Sequence, residues 1–173
     1  NQNVLNYIME LPVCEICAYT NNLCKKCKDR FKAGEIADID IELSRILYSM
    51  AKHKNMDSIV VKKTIRVNDL VLIIVENNPG LLIGKQGRTI KRISQELGYK
   101  IRVISNRKSD KEKLSDLFWP TPILGVNEVF SPDGVFVKIR LPHSYAKRLP
   151  FDLETLKVSA TKLLGKESKV VFE

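Results

Sequence analysis

The sequence has two histidines, one tryptophan and no cysteine beyond position 27, and each scarcity excludes something. His53 falls at the end of an expected helix and His143 follows an expected strand. Neither has the cysteine or carboxylate pattern that would pair a nucleophile with a base. The chain is therefore read as a non-enzyme without a small-molecule substrate. Long apolar runs are missing too. The longest, Leu70 to Val75, has six residues, too few to cross a bilayer as a helix, and no basic stretch followed by an apolar core opens the chain. A cytoplasmic protein outside the membrane is the expectation. Two glycine motifs of nucleotide binding are also absent. The dinucleotide fingerprint needs a glycine where Leu82 stands, and the P-loop needs a wider glycine spacing and Ser or Thr where Gln86 stands.

Basic charge is abundant but uneven. The formal net charge is +9, and eleven basic against three acidic side chains lie between positions 61 and 108. The rest of the chain is close to balanced. An anionic partner is drawn to that stretch, and charge alone leaves nucleic acid and a membrane surface open.

All four cysteines fall within fourteen residues, as Cys14-Glu15-Ile16-Cys17 and Cys24-Lys25-Lys26-Cys27. Each Cys-x-x-Cys turn offers two thiolates from one loop, and the six intervening residues can fold back so that Cys14, Cys17, Cys24 and Cys27 meet tetrahedrally around Zn²⁺. Two disulfides are disfavoured where thiols stay reduced, and iron is the alternative metal. The ligand set leaves no open coordination position, so the metal is expected to be structural. Lys25, Lys26, Lys28, Arg30 and Lys32 beside the second pair read as a solvated face.

After the knuckle the periodicity predicts an α+β fold. A helix starts at Asp38 as its N-cap, with Ile39, Leu43, Ile46, Leu47 and Met50 on one face, and ends near Asn55. Strands over 60–67 and 70–76 follow, joined at Asn68-Asp69, the second of them central. Asn78-Pro79 opens a short helix that Gly84 stops. A longer one runs from Arg88, with Ile90, Ile93 and Leu97 inward, to Gly98. A strand over 99–104 alternates as if buried on one face. The remainder repeats that order: a charged helix over 111–117, a hairpin of 123–130 and 135–141, a short turn near 143–148, a helix with Leu153, Leu156, Ala160 and Leu163 on one face, and a last strand through Phe172. The predicted domains are 1–34, 35–105 and 106–173, the last two duplicates in element order.

Gly84-Lys85-Gln86-Gly87 lies between two expected helices. Without Cβ atoms such a loop lets the backbone approach a phosphodiester chain, and the helix beginning at Arg88 aims N–H groups and positive dipole at the same place. Lys85, Arg88, Lys91 and Arg92 add positive charge, and Ile83, Ile90 and Ile101 supply an apolar floor for unstacked bases. Arg102, pointing outward from the same strand as Ile101, is counted with them. Single-stranded RNA is the expected ligand.

The segment around Leu81-Leu82-Ile83-Gly84-Lys85-Gln86-Gly87-Arg88 resembles a type II KH domain of the order helix, strand, strand, helix, helix, strand. Its pairing with a second such unit is similar to the tandem KH domains of NusA-family transcription factors. The resemblance implies that the two units pack together and that RNA lies along the glycine groove. It also implies a role in transcription elongation or termination with RNA polymerase as a partner; a ribosome-associated or RNA-processing role is the close rival. A zinc-stabilised protein-interaction adaptor using the fold as scaffold is the reading from another class. The second unit is degenerate. Phe151-Asp152-Leu153-Glu154 replaces the glycine loop, so it is expected not to clamp RNA there, and Phe118-Trp119-Pro120 is expected to make an interdomain contact.

Overall fold

The computed structural model describes residues 9–52, 56 and 58–173. The chain begins with two short helices, α1 (Glu15–Tyr19) and α2 (Lys25–Lys32), then α3 (Asp38–Ala51). A first sheet is built from β1 (Val61–Val67), β2 (Leu70–Val75) and β3 (Lys100–Ser105), with α4 (Pro79–Ile83) and α5 (Arg88–Leu97) between its last two strands. A second set follows, α6 (Asp110–Phe118), β4 (Gly125–Ser131), β5 (Gly134–Leu141), α7 (Leu153–Leu164) and β6 (Ser168–Phe172).

The two sheets have one topology. β2 is central, antiparallel to β1 and parallel to β3; β5 is central, antiparallel to β4 and parallel to β6. Each parallel pair is bridged by a helix ending on a left-handed glycine, Gly98 at φ 80° and Gly165 at φ 68°. The sets differ where β2 is followed by α4 and the glycine loop. After β5 there is only a 3₁₀ turn at His143–Tyr145 and a loop.

Burial explains the uninterrupted apolar run of β2. Val71, Ile73 and Val75 face α3 and α5 beside Ile101 and Val103, while Leu70, Leu72 and Ile74 face α6 and α7 beside Ile65, Val67 and Ile104. The first sheet is thus covered on both faces. The expectation of one buried face along 99–104 fails at Ile104, which is fully buried against the second set. Each such side chain contributes roughly 1.5–3 kcal/mol by leaving water. The helices α6 and α7 in turn carry the second sheet through Val137, Ile139 and Leu141. Asn68 at the β1–β2 turn adds a polar tie, its amide donating to Thr155 Oγ1 at 2.8 Å.

Several local expectations shift. Ala37, not Asp38, is the N-cap of α3, and the Asp40 carboxylate reaches back to accept from the Ala37 N–H at 2.8 Å. The described part of α3 ends at Ala51, and position 55 lies outside the described residues. Asn78 precedes α4 in a left-handed conformation and makes no side-chain cap. Phe118 is fully buried among α6, α7 and the first sheet, as an interdomain residue should be, but Trp119 is 65% exposed. Leu153 opens α7 on its exposed side.

Candidate nucleic-acid interface and metal centre

The loop between α4 and α5 is a run of left-handed backbone. Gly84 (φ 75°), Gln86 (φ 55°) and Gly87 (φ 72°) all have positive φ. Gly84 has no room for a side chain because a Cβ there would overlap the Thr89 hydroxyl. The turn is closed by the Gly84 N–H donating to Gly80 O at 2.8 Å and the Gly87 N–H to Gly84 O at 3.1 Å. Gly87 is the N-cap of α5 and supplies no side-chain cap, while the Arg88 N–H donates back to Lys85 O. The positive end of the helix dipole therefore lies at the loop without a side chain capping it.

The side chains around it are mostly cationic and exposed. Lys85, Gln86, Arg88, Lys91 and Arg92 are exposed. Arg92 pairs with Glu96 at 3.1 Å, and the Arg88 guanidinium reaches the Gln86 amide oxygen at 3.5 Å. Among the described residues no acidic side chain pairs with Lys85, Arg88 or Lys91. Ile83 is exposed at the end of α4, and Ile90 is half-buried on the first turn of α5.

The cysteines form a second centre. Cys14 and Cys24 are the N-caps of α1 and α2, and Cys17 and Cys27 stand on the first turns of the same helices. The four sulfurs lie within 4.8 Å of one another, with Cys14 to Cys17 at 3.3 Å and Cys14 to Cys24 at 3.9 Å. Tetrahedral coordination at a Zn–S distance of about 2.3 Å requires sulfur separations near 3.8 Å, so the set fits the ion. All four are free of disulfides. The Cys27 N–H hydrogen-bonds Cys24 Sγ and lowers that thiol to about 7. Burial pushes Cys17 up to about 12 and raises Cys27. Buried sulfurs that resist losing their protons become thiolates only when a cation compensates them. The cluster packs through Val13, Cys17, Ala18, Cys27 and Ile36 on Ile41 of α3, and the Arg30 guanidinium donates to Pro12 O at 2.8 Å.

The KH-domain family model matches residues 38–142, well over half of the chain. The chain belongs to the KH-domain family. It is a KH-domain scaffold for RNA or a partner, with a four-cysteine cluster able to chelate a metal. The match begins at α3, covers the first sheet and the glycine loop, and ends just past β5. Among solved structures the chain is similar to one described as "Crystal structure of APE1850". The two share 20% identity at a TM-score of 0.53, over 75% of this chain and 94% of that one. A likeness at that identity concerns the fold alone. No curated protein matches.

Within the KH unit the expected RNA residues do not form one surface. Ile83, Gly84, Lys85, Gln86, Gly87, Arg88, Lys91 and Arg92 are brought together at the loop and along α5. Ile101 is not available as a floor: it is 8% exposed and packs with Leu82, Ile93 and Leu97 inside the core. Arg102 turns away, because neighbouring residues on a strand face opposite sides. Its guanidinium donates to Trp119 O at 2.6 Å and lies 5.2 Å from the Phe151 ring centre, at the contact with the second set. Burial lowers its pKa, opposed by the nearby Asp116. Sequence spacing placed both residues on the right strand. What each then meets, α4 and α5 over Ile101 and the second set over Arg102, is non-local packing with no local signal.

Proposed function

We propose that the protein binds single-stranded RNA, with the backbone of 84–87 against the phosphodiester chain and the exposed face of α5 along it. The observation that carries this reading is the conjunction at one loop of three left-handed residues, a helix start with no side-chain cap, and the cations Lys85, Arg88 and Lys91 free of acidic partners. Backbone that close to a phosphate needs Gly84, and the positive end of the α5 dipole favours an anion there. Zn²⁺ is the proposed resident of the cysteine cluster, where it organises residues 9–36 against α3.

The second set of elements is a degenerate second KH unit in this reading. It shares the strand order and the left-handed glycine cap, and its counterpart of the clamp is occupied. Asp152 caps α7 by accepting from the Thr155 N–H at 2.9 Å, so its carboxylate holds the helix start that would otherwise receive a phosphate. A role in transcription elongation or termination, with RNA polymerase as partner, rests on the resemblance to NusA-family tandem KH proteins. A ribosome-associated or RNA-processing role rests on the same clamp. Ile16, Tyr19 and Phe31 favour a protein-adaptor contribution, since all three are exposed on the cysteine module. The clamp is tested by anisotropy titrations with labelled single-stranded and duplex RNA. Preference for the single strand, weakening with salt, is expected; equal affinity for both contradicts it.

A further inference from the structure

Trp119 is the only tryptophan in the chain. It follows directly on the fully buried Phe118, yet it is 65% exposed. Its place is fixed from below. The Arg102 Nη2 donates to Trp119 O at 2.6 Å, and the guanidinium carbon lies 6.0 Å from the indole centre. The same guanidinium lies 5.2 Å from the Phe151 ring centre, and Lys100 Nζ lies 5.6 Å from that ring. Trp119, Arg102, Phe151 and Lys100 therefore alternate aromatic and cationic groups along the edge strand β3.

A packing role accounts for Arg102 and Phe151, which are half-buried between the two units. It does not account for the indole, most of which remains in water. An anchored aromatic face flanked by cations is the pattern on which unpaired bases stack while phosphates pass the charges. Lys100 and Arg102 are two apart on a strand, about 6.6 Å, close to the spacing of successive phosphates in an extended strand. Ile101 and Val103, on the opposite face of the same strand, pack among Leu81 and Leu82 of α4. The edge of β3 is thus the shared wall between the clamp and Trp119.

We infer that Trp119, Arg102, Phe151 and Lys100 form a second contact for single-stranded RNA, in which a base stacks on the open face of the Trp119 indole. The inference rests on the clamp reading and lengthens it. A strand gripped at Gly84–Gly87 over about four nucleotides stops short of Trp119, and a longer one crosses the edge of β3 to reach it.

The single tryptophan makes the test direct. The full chain is titrated with randomised RNA pools of about four and about ten nucleotides, reading indole fluorescence and, separately, the anisotropy of labelled RNA. Both pools are expected to bind, and only the longer one to quench the indole. Trp119→Ala is expected to bind the short pool as wild type does and to lose about ten-fold on the longer one. Trp119→Phe is expected to keep most of that affinity, and the melting temperatures of both variants check the fold. Unquenched fluorescence with equal binding of the longer pool by Trp119→Ala overturns this inference and leaves the clamp standing. Failure of both pools to bind wild type overturns the inference and the clamp together.

Discussion

Gly84 sits so close to Thr89 that a Cβ on Gly84 would fall 2.7 Å from the Thr89 Cβ and 2.9 Å from its backbone nitrogen. Thr89 is buried on the first turn of α5, so it has little room to yield. Gly87 has a similar φ but open space, the nearest atom to an added Cβ being Ile90 Cγ2 at 3.8 Å. The two glycines are therefore constrained for different reasons. Gly84→Ala is expected to lose about 3 kcal/mol or more, from left-handed strain plus overlap, and Gly87→Ala about 1–2 kcal/mol from strain alone. Urea midpoints of the two variants separate these values. Equal losses would show that the contact with Thr89 does not constrain the loop.

Much of this architecture was legible because its signals are local. The order of elements follows from apolar periodicity, Gly98 and Gly165 mark helix ends, and the unbroken apolar run of β2 marks a central strand. The misreadings share a cause. Ile104, Trp119 and Arg102 are placed by the second set packing against the back of the first sheet, and Ile101 by α4 and α5 closing over the front. Asn78 adopts a left-handed conformation that replaces the cap its residue type suggests. The glycine loop and the cysteine pairs were readable because spacing within a few residues sets their chemistry.

The cysteine module gives a metal prediction. The purified protein is expected to hold one Zn²⁺ per chain by elemental analysis. Chelation is expected to deprotect amides over 10–36 in hydrogen exchange while those of β2 stay protected, because β2 belongs to a core separate from that of the cysteines. Cys27→Ser should reproduce the effect of chelation. Protection of 10–36 that survives metal removal would show that the module folds without it.

Asp152 gives a pH prediction. Its carboxyl is held below the usual carboxylate range, first by the Thr155 hydroxyl and then by the Thr155 N–H. The folded pKa lies below the unfolded one, so the stabilisation is present above about pH 4 and is lost as pH falls through the folded value. Asp152→Asn is expected to melt below wild type at pH 7, with the gap closing as pH drops under about 4. A gap that is constant with pH would mean that the carboxylate charge does not support the cap.

The central claim is that the loop of 84–87 holds RNA, and Lys85 with Gln86 tests it most directly. Both are exposed at the loop tip, where substitutions usually change stability by about 0.5 kcal/mol or less. Lys85→Asp combined with Gln86→Asp removes one cation and places two carboxylates where a phosphate approaches, each like-charge contact costing on the order of 1 kcal/mol through solvent. The measurement is the affinity of this double variant for labelled single-stranded RNA, beside its melting temperature. An unchanged melting temperature with binding weakened at least about ten-fold is the predicted result. Wild-type affinity in a folded double variant would contradict the account.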